Sequence, residues 1–184
     1  MPEKKQDTIG ANWTSWVALS TAALAVAAAL TTLYMGKFSS RTVLSQMQES
    51  DQWAYYQAKS IKGHAYELQR EKLELELTMY KAKGALPSEV KNAYDKTIGA
   101  YVETVKRYDA ERKEIKEKAE ALSKVKEDSQ LRAGKFAYGL ILLQIAIMLS
   151  SIASITKKPL LWYFGLGLGV VGVFFFIDGF YIFY

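Results

Sequence analysis

Three apolar stretches, each long enough to cross a hydrocarbon layer, constrain this chain more than any motif it carries. They run from about Trp13 to Met35, from Phe136 to Ile155 and from Pro159 to Tyr184. A layer about 30 Å thick needs roughly 20 apolar residues at about 1.5 Å of rise each. Asp178 is the one charged residue inside them. With lipid as their solvent, the three stretches read as transmembrane helices, preceded by a short polar tail over residues 1–12 and separated by a strongly charged segment over 36–133. The overall hydrophobic fraction of 50% averages these two populations and describes neither.

Lys4 and Lys5 ahead of an apolar run, with Ala-rich residues 22–29 behind them, also suit a signal peptide. The run is longer than a usual signal core, so it reads as an uncleaved anchor. No cysteine occurs, which excludes disulfides, thiolate nucleophiles and Cys-ligated metals. Orientation follows from Lys and Arg in short loops. Lys4, Lys5 and the Lys157–Lys158 turn belong on the cytoplasmic side, which sends the 36–133 segment and the carboxyl terminus to the outer face, periplasmic if the membrane is the inner membrane of a Gram-negative bacterium. Lys37, Arg41, Arg132 and Lys135 flank the spans on the opposite side and weaken that asymmetry.

The charged segment reads as two helices, about 40–83 and 89–132, joined by a turn at 84–88. Gly84 can end the first in a left-handed conformation, Pro87 stops its continuation, and Ser88 can cap the second. Each arm would reach roughly 65 Å. Tyr94, Ile98, Tyr101, Val105, Tyr108, Ile115, Ala119 and Leu122 fall on an alternating three and four spacing, answered on the first arm by Ala54, Ala58, Ile61, Ala65, Leu68, Leu75 and Met79. These are coiled-coil seams, interrupted by Arg112 and Lys72. Folding at the turn sets Leu68 near Val105, Ala65 near Tyr108 and Ala58 near Ile115. The expected fold is an all-α membrane protein, with three transmembrane helices and a long antiparallel coiled-coil hairpin between the first and second.

That seam leaves Trp53, Tyr56, Tyr66, Leu73, Leu77 and Tyr80 off it, so these apolar side chains need another partner: they shield the stalk or pack against a neighbouring copy. Trp53, Tyr55 and Tyr56 lie about 27 Å along a helix from Met35, too far out for an interfacial aromatic belt, and could also form a recognition surface. Small residues make stripes on two spans: Ser15, Ala18, Ala22, Ala25, Ala29 and Thr32 on the first, and Gly165, Gly169, Gly172 and Gly179 on the third. Helices in lipid associate through such close approaches, within one subunit or between copies.

Among the polar side chains inside the spans, an amide and a carboxylate could carry function. Gln144, near the middle of the second, is expected to bond to a neighbouring helix or to line a conduction path. Asp178 is roughly 28 Å along a helix from the Lys158 turn, which puts it near the far interface as a hydrated or capped carboxylate unless it is functional. His64 has only Glu67 close in sequence, too few ligands for a metal. Acid-first pairs four apart, such as Glu114 with Lys118, describe a solvated helix face, and the interspersed basic excess does not suit nucleic acid. No residue pattern marks a catalytic, cofactor-binding or metal site, so no enzymatic activity and no cofactor are expected.

Ser50-Asp-Gln-Trp53-Ala-Tyr55-Tyr56-Gln-Ala-Lys59-Ser-Ile-Lys62, Glu71-Lys-Leu-Glu-Leu-Glu76, Leu143-Gln-Ile-Ala146, Lys157-Lys158-Pro159 and Asp178-Gly179-Phe180 together resemble a bacterial membrane-protein family designated domain-of-unknown-function family 4337. The resemblance runs from about Trp13 onward and implies three spans around a coiled-coil hairpin, with no activity attached. The chain therefore reads as a non-enzymatic membrane scaffold or assembly protein, a homo-oligomer built through its hairpin and small-residue faces. The alternatives are a pore or transport subunit, or an accessory subunit of a complex with a different membrane protein.

Overall fold

The computed structural model describes residues 4–84 and 87–182, with side chains from Trp13 onward. Residues 1–3, the turn residues Ala85 and Leu86, and Phe183 and Tyr184 of the third stretch lie outside it, as do the side chains of Lys4 and Lys5. The described residues are helical throughout apart from two turns and Ile182: α1 spans Lys4–Ala82, α2 Ser88–Thr156 and α3 Pro159–Tyr181. Each helix is long and apolar enough, by length and composition, to cross a membrane. Two are far longer than a span requires, at 79 and 69 residues, and one, of 23, matches it.

Turn chemistry sets the breaks. Gly84 has φ +90°, a backbone state that side-chain-bearing residues rarely adopt. The Lys83 and Gly84 amides donate back to Met79, Tyr80 and Lys81 carbonyls, which closes α1. At the other break Lys157 takes φ 53°, Lys158 is extended, and Pro159 opens α3, where its missing N–H costs nothing.

The chain divides into two compact units, residues 1–44 with 125–184, and residues 45–124. In the first, Val17, Leu24, Thr31 and Phe38 of α1 are buried at intervals of seven, a repeat that keeps one face of a helix turned inward along a left-handed crossing. Phe136, Leu143, Ala146, Ser150 and Ala153 of α2 and Gly165, Gly169, Gly172 and Gly179 of α3 complete the core. Those glycines work at contact distance. A β-carbon on Gly172 would stand 2.9 Å from Leu143 and 3.1 Å from the Gly139 carbonyl oxygen, and one on Gly169 would stand 2.7 Å from Leu24. The glycine row of the third stretch thus packs within the chain. The small row of the first stretch faces outward, away from α2 and α3: Ser15, Ala18, Ala22, Ala25, Ala29 and Thr32 are all exposed.

In the second unit the two helical segments run antiparallel. Lys59 pairs with Glu111, Tyr66 meets Tyr108 and Tyr101, and the Tyr94 hydroxyl donates to Glu76, so rising numbers on α1 meet falling ones on α2. The seam expected on α1 is wrong. Ile61, Leu68, Leu75 and Met79 are 70%, 66%, 61% and 57% exposed, whereas Leu77 is buried and Tyr56, Tyr66 and Leu73 are half-buried. Of the residues read as surplus, Tyr56, Tyr66 and Tyr80 meet Arg112, Tyr108 and Tyr94 of α2, Leu77 is buried, and Trp53 and Leu73 are half-buried. Aromatic and charge contacts decide between the faces. Tyr66 stacks on Tyr108 at 5.9 Å, Lys59 lies over Tyr108 as well as bonding Glu111 at 2.6 Å, and Arg112 lies over Tyr56. Rows of alanine cannot match these contacts. On α2, Ile115 and Ala119 are buried.

Candidate functional site

The chemistry of the first unit concentrates where α2 begins its apolar stretch and α3 ends. Asp178 is fully buried, and its Oδ2 lies 2.8 Å from Lys135 Nζ, a side chain only 11% exposed. This corrects the expectation of a hydrated or capped carboxylate. Counting along α3 locates the carboxylate but not its partner, because α2 brings Lys135 alongside. A charge taken out of water needs such a counter-charge at short range.

Arg132, one turn before Lys135, completes the arrangement. Its Nη1 donates to the Phe180 carbonyl at 2.6 Å and to that of Gly179 at 3.5 Å, while its Nε donates to Asp128 at 2.9 Å. The last carbonyls of a helix lack intrahelical donors and carry partial negative charge, so a guanidinium is well placed there. Ile182, left-handed at φ 50°, returns its amide to the Asp178 carbonyl.

Aromatic rings enclose these groups. Phe136 stacks between Tyr34 and Phe38 at 5.9 and 5.7 Å and meets the edges of Phe176 and Phe180. A β-carbon on Gly179 would come within 2.7 Å of the Phe136 ring, so glycine is what admits that ring to α3. Lys37 and Arg132 lie over the Phe38 ring. The ensemble is an ionic lock in an apolar setting, joining α2 to α3. Sequence reasoning took Lys135 and Arg132 only as charges flanking an apolar stretch and missed their part in this cluster, although Arg-Ala-Gly-Lys directly before that stretch is the signal that could have found it.

Gln144 is placed differently. It lies on the exposed side of α2 with Met148 and Ser151, and among the described residues its amide forms no hydrogen bond. At the opposite end of the apolar stretches Trp162 Nε1 donates to Ser20 at 3.0 Å and its ring meets Trp13 edge-on, tying α3 to α1.

In the second unit the polar groups act as pairs. The Glu111 carboxylate holds Lys59 protonated beyond the ordinary lysine range, against the opposing pull of desolvation. Lys118 lowers Glu114, and Glu114 raises Lys118. Burial, with Glu76 beside it, pushes the Tyr94 phenol up. His64 Nδ1 lies 3.2 Å from Glu67 on an exposed surface.

Three helices, each long and apolar enough by composition to cross a membrane and two of them extended well beyond the span length, define an all-helical protein. The chain belongs to the family of the domain of unknown function DUF4337, whose model matches residues 13–182. No curated protein and no solved structure matches it.

Proposed function

We propose that this chain is a non-enzymatic membrane scaffold whose copies associate side by side in one bilayer. In this reading the amino terminus is cytoplasmic, and the antiparallel helix pair stands outside as a coiled-coil hairpin. The observation that carries the reading is Gln144, an amide midway along the second apolar stretch that faces away from its own chain's other helices. Hydrocarbon offers that amide no partner, and a glutamine on a neighbouring copy offers both a donor and an acceptor. An interhelical hydrogen bond of this kind contributes about 0.6 to 2 kcal/mol. The outward Ser15 to Thr32 row adds a second surface on which backbones can approach closely.

The test is energy transfer between differently labelled copies in proteoliposomes. Gln144→Leu should weaken association roughly 3- to 30-fold, the equivalent of that one bond. Unchanged transfer would remove the basis of the proposal. Ion flux through the same vesicles, lost in Gln144→Leu, would favour an oligomer enclosing a conduction path.

A further inference from the structure

We infer that the exposed apolar row of α1 in the second unit is a docking surface for a second copy of this chain, laid antiparallel. Ile61, Ala65, Leu68, Leu75 and Met79 repeat at alternating spacings of three and four, all exposed, with Lys72 the one charge among them. Such a row is a coiled-coil seam without a partner in its own chain. The charges beside it identify the partner.

Along one flank of the row stand Lys62, Gln69 and Glu76, seven residues apart. In an antiparallel pair this flank faces its own counterpart. A two-fold axis near residue 70 then sets Lys62 against Glu76 of the second copy, twice, and Gln69 against Gln69. The apolar layers agree, with Ile61 opposite Met79, Ala65 opposite Leu75, and Leu68 opposite Lys72. On the other flank Glu71 meets Glu71, with Lys72 of both copies beside it. A parallel pair does the reverse: Glu71 would face Glu76 of its neighbour on both sides, and Lys72 would lie against Lys72 in the seam. A surface that complements itself about a two-fold axis is the mark of an isologous contact. Lys62 is exposed, and Glu76, which accepts from Tyr94 with one oxygen and lies 4.0 Å from Lys72 with the other, keeps 38% of its side chain open toward this flank.

This surface is separate from Gln144 and draws on the proposed function in one respect. With the hairpin outside the bilayer, as that reading has it, the reversed copy can be supplied by a facing membrane. The scaffold would then hold membranes together as well as neighbours within one.

The sequence has no cysteine, so each introduced one is unique. The full chain is reconstituted as Ile61→Cys in one set of vesicles and as Met79→Cys in another. Oxidation after mixing should give a disulfide-linked dimer of the two variants, while each vesicle set oxidised alone stays uncrosslinked. Adding Lys62→Glu to the first should cut the yield several-fold, and Glu76→Lys in both vesicle sets together with Lys62→Glu in both should restore it. Disulfides within each set alone would establish a parallel pair and overturn the inference. No disulfide in the mixture would overturn it too, while energy transfer sensitive to Gln144 would leave the in-membrane association standing.

Discussion

A single carboxylate, Asp178, shows how much of the first unit depends on pairing. Removing one partner of a buried ion pair strands the other, at a cost of about 3 to 5 kcal/mol, whereas replacing both with neutral groups is far cheaper. Asp178→Asn should therefore lower the melting temperature of the nanodisc-embedded protein sharply, and Lys135→Met combined with Asp178→Asn should recover most of the loss. Equal melting of wild type and Asp178→Asn would mean that the 2.8 Å pair contributes nothing. Asp178 was legible in the sequence as an anomaly, a charge in an apolar stretch. Its partner was not, because Lys135 and Asp178 are 43 positions apart and only the packing of α2 on α3 makes them neighbours.

Glycine placement and face choice decide what happens along each helix. Gly172→Ala forces a methyl against Leu143 and a backbone oxygen that cannot yield, while Gly167 has open space around it. Thermal unfolding in nanodiscs should show Gly172→Ala destabilised by about 1 to 3 kcal/mol, the usual cost of overpacking, and Gly167→Ala nearly unchanged. In the second unit, Leu77→Ala should cost about 2 to 5 kcal/mol as a buried truncation. Ile61→Ala, measured in dilute detergent where chains are single, should stay within about 0.5 kcal/mol. The reverse ranking would restore the seam first read from the sequence. That seam failed for a physical reason: α1 carries two apolar rows, and the three-and-four spacing marks both. The choice falls to ring stacking at Tyr66 and Tyr108 and to the Lys59–Glu111 bond, contacts that spacing does not encode.

Titration of the same pair has a defined sign. Lys59 and Lys118 have raised values, so their stabilising contribution is complete below the ordinary lysine value of 10.5 and is lost as pH climbs past it. Glu114 is lowered, so its contribution is present at neutral pH and is lost as acid carries it through its depressed value. Circular dichroism should show Glu111→Gln losing part of the alkaline transition. An identical alkaline limb in that variant would detach Lys59 from it.

At the scale of the whole molecule, three apolar stretches were enough to read the helical character, since hydropathy needs no tertiary information. How copies relate could not be read, because a row of small residues suits packing within one subunit and between copies alike, and the glycine row of α3 is used within the chain. Gln144 and the alanine row of α1 are among the groups that face outward in the first unit. The most direct test of self-association is the mass of the complex extracted from native membranes with its lipid. The expected result, after the lipid mass is subtracted, is a whole-number multiple of 20.7 kDa greater than one, reduced toward a single chain in Gln144→Leu. A wild-type species at 20.7 kDa alone would contradict the account.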